Sequence, residues 1–172
     1  MKFCPNCGTS VIRESTLSET RAFSERDDIS AATTDGERRR LTLVFCDLVG
    51  STRLSQALDP EDYTEVINEY RKACGRCVSA YGGHIAQYFG DGMLVYFGFP
   101  VAFEDSPFRA VSAALDVLEN IDRLNSILGT RFNVTLAVRI GIHVGLVVLE
   151  RGGGGRERLA MGDAPNIAAR LQ

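Results

Sequence analysis

The segment from residue 84 to residue 97 constrains the fold of this chain most. Two apolar, strand-like runs, His84–Phe89 and Met93–Phe97, flank the short sequence Gly90-Asp91-Gly92. A tight glycine-containing turn between two such runs is typical of a β-hairpin. The segments before and after it repeat apolar residues at helical spacing, so the chain is expected to combine helices with this sheet.

Apolar periodicity and helix-terminating residues predict the neighbouring elements. The almost continuously apolar run Leu41–Cys46 predicts a buried strand. Asp59 followed by Pro60 predicts the start of a helix, and the glycines at positions 82 and 83 predict its end. A second helix is expected to begin near Asp105 and to end at Gly129. Its core-facing stripe is predicted to consist of Phe108, Val111, Leu115, Leu118, Ile121 and Leu128.

The C-terminal third is predicted to add strands and one more helix. Residues 133–143 alternate between apolar and polar positions, which predicts one strand, and residues 145–150 predict another. The four glycines at 152–155 are interpreted as a flexible hairpin tip, and a last helix is expected to begin near Asp163. This order predicts an α+β fold, a ferredoxin-like βαββαβ sandwich with an added hairpin and helix. Because the sequence ends at Gln172 without a helix stop signal, we expect the domain to be truncated at its C-terminus.

The N-terminal residues differ in composition from the rest. Cys4 and Cys7 lie in a Cys-Pro-Asn-Cys-Gly knuckle of the zinc-ribbon kind, which predicts a partial zinc ribbon over residues 1–12. Residues 13–37 are rich in Ser, Thr and mixed charge, which predicts a flexible linker before a domain that spans residues 38–172. Cys74 and Cys77 share the knuckle spacing, but they fall on an apolar helix stripe, so core packing is favoured there.

Charge and hydropathy exclude several function classes. The formal net charge is −3 and the sequence pI is about 5.4, which argues against a nucleic-acid partner. No apolar stretch is long enough to cross a bilayer, and the first residues do not resemble a signal peptide. We therefore expect a cytoplasmic chain with no membrane partner.

Two aspartates at the ends of apolar strands predict a cation site. Asp47 ends the first strand, and Asp91 occupies the tip of the hairpin. Either one alone would be interpreted as a turn residue or a helix cap. Since the first strand and the hairpin are neighbours in a ferredoxin-like sheet, the two carboxylates are expected to converge. Gly50 leaves space beside them, and Ser51 and Thr52 are expected to open a short helix whose N–H groups face an anion. Such a set suits a metal–triphosphate site.

The chain resembles the catalytic domain of class III nucleotidyl cyclases, the adenylate and guanylate cyclases. Four motifs carry the resemblance in the right order: residues 45–52 (FCDLVGST), 90–92 (GDG), 139–145 (RIGIHVG) and 162–171 (GDAPNIAARL). The resemblance implies that Asp47 and Asp91, assisted by the Leu48 carbonyl, hold two Mg²⁺ or Mn²⁺ ions. It also implies that Asn166 orients the ribose and that Arg170 stabilises charge on the α-phosphate of ATP.

The resemblance further implies a head-to-tail homodimer in which each active site is shared. Asn166 and Arg170 would then come from the partner chain, and their spacing of four residues puts both on one helix face. Without the aspartates, this pair would be interpreted as a helix cap and a surface ion-pair residue. A diguanylate cyclase or a polymerase palm shares the two-metal chemistry but does not explain this helix.

Two positions that read the base depart from the family pattern. Gln87 stands where a Lys is usual, and Leu159 stands where Asp or Thr is common. Gln87 can both donate and accept hydrogen bonds, so it can address either purine, whereas Leu159 offers none. The leading hypothesis is an adenylate cyclase that makes cyclic AMP. The alternatives are a cyclase with relaxed choice between ATP and GTP, and a weak or silent nucleotide-binding regulatory domain.

Overall fold

The structure is a computed structural model that describes residues 2–3, 10–11, 37–149 and 160–172. The chain divides into two units, Met1–Ala32 and Thr33–Gln172. In the first unit, strands β1 (Lys2–Phe3) and β2 (Ser10–Val11) pair antiparallel. The predicted Cys4–Cys7 knuckle, and the predicted linker apart from Glu37, lie outside the described residues. Zinc binding there stays a prediction.

In its described residues, 37–149 and 160–172, the second unit contains one five-stranded antiparallel sheet and four helices. In chain order the elements are β3 (Glu37–Leu48), α1 (Ser51–Ala57), α2 (Pro60–Ala80), β4 (His84–Phe89), β5 (Gly92–Phe97), α3 (Ser106–Phe132), β6 (Val138–Leu149), β7 (Ala160–Met161) and α4 (Asp163–Leu171). The strand order is β4-β5-β3-β6-β7, so the first strand lies at the centre beside the hairpin. This confirms the predicted α+β, ferredoxin-like arrangement, with β7 and α4 as the additions.

The sheet buries both of its faces. Val44, Cys46 and Leu48 of β3 pack with α2 and α3 on one face, whereas Leu41 and Leu43 pack with α4 on the other. This alternation follows from the two-residue period of a strand. None of the helices in the described part of the chain has the length and apolar character that a bilayer-crossing segment needs.

Helix α2 forms as its sequence predicts. Pro60 occupies the first turn after Asp59, and the helix ends at Ala80, just before the glycine pair. Cys74 and Cys77 are buried and free, and they lie in the α2–α3 core. Core packing therefore explains this pair of cysteines, as the stripe indicated.

The prediction for the core-facing stripe of α3 was wrong in its first half. Phe108, Val111, Leu115 and Leu118 are exposed, and Phe108 is the most open of them at 73%. The buried positions of α3 are Ser106, Ala110, Ala113, Val117, Ile121, Leu124 and Leu128. The small alanines let the helix lie close against its neighbours. The prediction chose the stripe with the larger apolar side chains, and the stripe with the alanines is the buried one. The helix also extends beyond Gly129 to Phe132, where Asn133 adopts φ 55° and donates its N–H to the Gly129 carbonyl.

Two further sequence predictions need correction around β6. Residues 133–137 are not a strand, because the Asn125 side chain bonds both backbone groups of Leu136, at 2.7 Å and 2.9 Å. The strands predicted at 133–143 and 145–150 are one continuous strand, β6, which pairs with β3 from Glu37↔Leu149 to Leu48↔Val138. The glycine run at 152–155 lies outside the described residues.

Candidate active site

Asp47 lies at the end of the central strand, on the face that α4 covers. It alternates with Cys46 and Leu48, which point into the opposite core, and its side chain is 23% exposed. Directly across the β3–β6 ladder stands Arg139. The Arg139 Nη2 donates to Asp47 Oδ2 at 2.7 Å, a charge-assisted contact. The structure thus gives Asp47 a cationic neighbour that the sequence analysis had not assigned to the site.

The Gly90-Asp91-Gly92 turn brings the second carboxylate to the same end of the sheet. Gly90 has φ +60°, a conformation that favours glycine. A side chain at Gly92 would be tight, because its Cβ would lie 3.3 Å from Asp47 Oδ1. Asp91 Oδ2 is buried, and no described residue gives it a hydrogen bond. An unsatisfied buried carboxylate oxygen is costly, so this atom is a candidate for a ligand.

Arg71 of helix α2 contacts the Gly90-Asp91-Gly92 turn. The Arg71 Nη2 donates to the Gly90 carbonyl, and the Arg71 guanidinium lies 4.8 Å from the centre of the Tyr88 ring. Burial raises the pKa of Tyr63, and the negative charge of Asp91 raises it further. The charge of Asp91 thus acts on Tyr63, and Arg71 binds the backbone of the residue that precedes Asp91.

The donor atoms of Asp47 and Asp91 suit a hard divalent cation such as Mg²⁺. Asp47 and Asp91 offer carboxylate oxygens, the donors that Mg²⁺ prefers, and the buried Oδ2 of Asp91 lacks a partner among the described residues. Leu48 ends β3 beside Asp47, with its side chain buried, so only its backbone can contribute. No group of three or more His, Cys, Asp or Glu side chains gathers anywhere in the described ranges.

The predicted phosphate-facing segment forms directly after Asp47. Gly50 adopts φ +72° and serves as the cap of α1, which begins with Ser51 and Thr52. Its carbonyl accepts the first helical hydrogen bonds, from the N–H groups of Arg53 and Leu54. A side chain at position 50 would be strained by the backbone conformation rather than by crowding, since the nearest atoms are 3.8 Å away. The helix exists as predicted, and its role toward an anion stays a prediction.

Of the two predicted base-reading residues, only Gln87 lies in the described part of the chain. Gln87 is half-buried on β4 and pairs with Leu94, which in turn pairs with Phe45 of β3. Paired residues share a face, so Gln87 and Asp47 lie on the same side of the sheet, two strands apart. Leu159 lies outside the described residues, immediately before β7. The backbone N–H of Ala160 donates to the Tyr96 hydroxyl at 2.9 Å, which ties β7 to β5.

Two glycines of β6 determine where α4 lies. A Cβ at Gly141 would come 2.7 Å from Gln172 N and closer still to the Ala168 carbonyl. A Cβ at Gly145 would collide with the Cβ of Ala164. The buried face of α4 consists of Ala164 and Ala168. Small residues on both elements therefore let the helix sit directly on the strand.

Asn166 and Arg170 are exposed on α4. At about 100° per residue, both lie on the side of the helix opposite Ala164 and Ala168, and they project away from the sheet of their own chain. No described hydrogen bond or ion pair joins either of them to Asp47 or Asp91. The structure thus places both aspartates at the same end of the sheet, and Asn166 and Arg170 on one side of α4, but no described contact joins the two groups within one chain.

A cleft of about 230 Å³ opens between the carboxylate end of the sheet and the end of α4. Its walls include Phe45, Asp47 and Gly92 from the sheet, with Ala169 and Gln172 from the helix. A separate groove of about 500 Å³ beside α2 contains neither aspartate. The smaller cleft is therefore the candidate active site.

Sequence reasoning missed the site roles of Arg139, Gly141 and Gly145, although all three lie in a motif that it singled out. Arg139 could have been found if the β3–β6 register had been known, because it stands opposite Asp47. The two glycines carried a signal too. A strand interior disfavours glycine, and its presence there often marks a close approach of another backbone.

Comparison with known proteins gives consistent matches. Residues 35–172 match the family model described as the adenylate and guanylate cyclase catalytic domain. An adenylate cyclase of Anabaena cylindrica is 29% identical over 177 residues, covering 99% of this chain and 32% of that protein. The crystal structure of the guanylyl cyclase Cya2 is 31% identical with a TM-score of 0.75, covering 78% of this chain and 70% of that one. The adenylyl cyclase CyaB from P. aeruginosa is 28% identical with a TM-score of 0.75, covering 79% of this chain and 72% of that one.

The chain spans a third or less of the length of the first curated relatives that it matches. Similar structures include both an adenylyl and a guanylyl cyclase at the same TM-score, 0.75. Fold similarity alone therefore does not distinguish the base.

Proposed function

Since the chain belongs to the family of adenylate and guanylate cyclase catalytic domains, we propose that it converts ATP to 3′,5′-cyclic AMP and pyrophosphate. The observation that carries the proposal is the pair of carboxylates at one end of the sheet. Asp47 Oδ1 lies 3.3 Å from the Cβ position of Gly92, the residue next to Asp91. Two carboxylates that meet at this end of the sheet would repel each other unless a cation neutralises them.

The two carboxylates and the Leu48 carbonyl are the proposed holders of two Mg²⁺ or Mn²⁺ ions. When bound, these ions would make the ribose 3′-hydroxyl a better nucleophile and would neutralise the triphosphate. Gly50, Ser51 and Thr52 follow Asp47 closely in the chain and would contact the phosphates. Because Gly50 has no side chain, it would leave room for them.

The proposed reaction is an in-line displacement within one nucleotide. The ribose 3′-oxygen forms a bond to the α-phosphorus and loses its proton, and the bond from that phosphorus to the bridging oxygen breaks, so pyrophosphate leaves. The Asn166 amide would hold the ribose in place for this attack. The Arg170 guanidinium would stabilise the charge that develops on the α-phosphate oxygens.

The exposure of Asn166 and Arg170 supports a site shared between two chains. Both project from the side of α4 that faces away from their own sheet, so they are available to a second copy. In a head-to-tail homodimer, each chain would give its aspartates to one site and its α4 pair to the other. Two equivalent sites would result.

The choice of base rests on fewer residues. Gln87 lies on the Asp47 face of the sheet and can donate to or accept from a purine edge. The match to the Anabaena adenylate cyclase over 99% of this chain favours ATP. The uncharged Gln87 and the apolar Leu159 support a second candidate, a domain that binds nucleotide with slow turnover or relaxed choice between ATP and GTP.

The test is product formation by the purified chain with Mn²⁺ or Mg²⁺ and either ATP or GTP, with the cyclic product identified by mass spectrometry. Cyclic AMP is expected from ATP, and Asp47→Ala and Asp91→Ala should each abolish it. Asp122→Ala, at an exposed position of α3, is the matched control and should keep full activity. If nucleotide binds but neither triphosphate gives a cyclic product, the enzymatic proposal fails and the binding domain replaces it.

A further inference from the structure

We propose that Arg139 is the resident counter-ion of Asp47 and competes with a divalent cation for that carboxylate, so that Arg139 sets the metal affinity of the site. The inference rests on the proposed function, because it takes a divalent cation as the ligand of Asp47. It assigns to Arg139 a positioning role that acts through the aspartate.

The backbone fixes this ion pair. Asp47 and Arg139 are direct partners in the antiparallel β3–β6 ladder, so their side chains leave the same face of the sheet side by side. The Arg139 Nη2 lies 2.7 Å from Asp47 Oδ2. The pairing therefore follows from strand register, and Asp47 is partly neutralised before any cation arrives.

The second carboxylate, that of Asp91, forms no ion pair with any of the described residues. Asp91 Oδ2 is buried and lacks a hydrogen-bond partner among the described residues. The arginine closest to the turn, Arg71, directs its Nη2 to the Gly90 carbonyl. The site thus combines the Asp47 carboxylate, which is paired with Arg139, and the Asp91 carboxylate, whose Oδ2 has no described partner. Oδ2 of Asp47 becomes fully available to a cation when Arg139 withdraws.

Arg139 is free to withdraw. Its side chain is 51% exposed, whereas that of Asp47 is 23% exposed, so the guanidinium can turn into solvent without opening the core. The cost of breaking a pair this exposed is small, because solvent competes for both groups. A divalent cation, with twice the charge, is the stronger partner for the carboxylate.

The chain provides a matched control for this ion pair. Arg131 and Glu65 form a pair of the same length, 2.7 Å, with side chains 52% and 44% exposed, but neither residue lines the cleft. An ion pair this exposed contributes little free energy, so removal of the competing guanidinium corresponds to about a three- to fivefold gain in cation affinity. Arg139→Gln should show this gain, and Arg131→Gln should not.

The experiment is a Mn²⁺ titration without nucleotide, followed by electron paramagnetic resonance of the free ion. Wild type, Arg139→Gln, Arg139→Lys and Arg131→Gln are compared, with circular dichroism to verify folding. About three- to fivefold tighter binding is expected for Arg139→Gln, and near wild-type binding for the lysine variant, which retains the charge. Tighter binding distinguishes this role from a structural one, because structural damage would weaken binding. Equal or weaker binding by a folded Arg139→Gln protein overturns the inference.

Two further measurements separate this inference from the proposed function. If Asp47→Asn leaves Mn²⁺ binding unchanged, the metal site itself is wrong, whatever Arg139 does. If Arg139→Gln does not fold, the ¹⁵N resonances of the Arg139 side chain in the wild-type protein are followed during a Mg²⁺ titration. Their shift on Mg²⁺ addition supports release from Asp47, and their constancy at Mg²⁺ saturation contradicts it.

Discussion

Substitution of Gly141 by Ala tests how the β6 glycines position α4. The new Cβ would lie 2.7 Å from Gln172 N, whereas the optimal separation of non-bonded heavy atoms is about 3.5 Å or more, so the end of α4 must move by at least about 0.8 Å. The obstacle is helix backbone, including the Ala168 carbonyl, and cannot rotate away as a side chain can. Arg170 lies within this displaced turn.

This displacement should affect both the stability and the activity of the protein. Overpacking of this kind costs about 1–3 kcal/mol, which should lower the melting temperature by roughly 5–10 °C. A shift of about 1 Å in a group that contacts the reacting phosphate reduces kcat by about a hundredfold. The loss of activity should therefore exceed what the loss of stability explains at a temperature where the protein is fully folded.

The assay compares thermal melting and steady-state kinetics of the Gly141→Ala and Gly129→Ala variants. Gly129 lies inside α3, and the nearest atom to its Cβ position is 3.9 Å away, so alanine there should stabilise the helix by about 0.5–1 kcal/mol without loss of activity. If Gly141→Ala has the melting temperature and the kcat of wild type, the close packing of α4 on β6 is wrong. If its melting temperature falls but its kcat is unchanged, the packing is correct and the proposed role of Arg170 is wrong.

Two other substitutions probe the hairpin turn. Asp91→Asn should abolish cyclase activity and yet raise the free energy of unfolding by about 1–3 kcal/mol, because it removes the charge of a carboxylate whose Oδ2 is buried without a partner. Urea unfolding at neutral pH measures this change. A less stable variant would show that the carboxylate is satisfied. Arg71→Met should lower the free energy of unfolding by about 1–2 kcal/mol, because the hydrogen bond to the Gly90 carbonyl is lost, and it should weaken Mn²⁺ binding several-fold. An unchanged Mn²⁺ affinity would mean that the turn does not depend on Arg71.

The order of elements was predictable from sequence because strong local signals mark it. Pro60 after Asp59 starts α2, and the Gly-Asp-Gly turn closes the hairpin between β4 and β5. The same signals placed Asp47 and Asp91 at strand ends. Their position at one end of the sheet then followed from the topology, in which β3 lies next to β5.

What sequence could not determine depended on partners distant in the chain. Leu136 appeared to continue a strand, but the Asn125 side chain from α3 takes both of its backbone hydrogen bonds. The exposed stripe that includes Phe108 is more hydrophobic than the buried alanines of α3, so composition favoured the wrong face. The pairing of Arg139 with Asp47 required a strand register that spans 92 residues of sequence.

The central claim is that each active site combines the aspartates of one chain with the α4 pair of another, and complementation tests it most directly. Asp91→Ala and Arg170→Ala, each inactive alone, are mixed in equal amounts, unfolded and refolded together. Half of the dimers should be mixed, each with one intact site of two, so about a quarter of wild-type activity should return. A mixture of Asp47→Ala and Asp91→Ala should stay inactive, because both changes disable the same half of a site. If native mass spectrometry detects mixed dimers of Asp91→Ala with Arg170→Ala and no activity returns, the shared site is wrong.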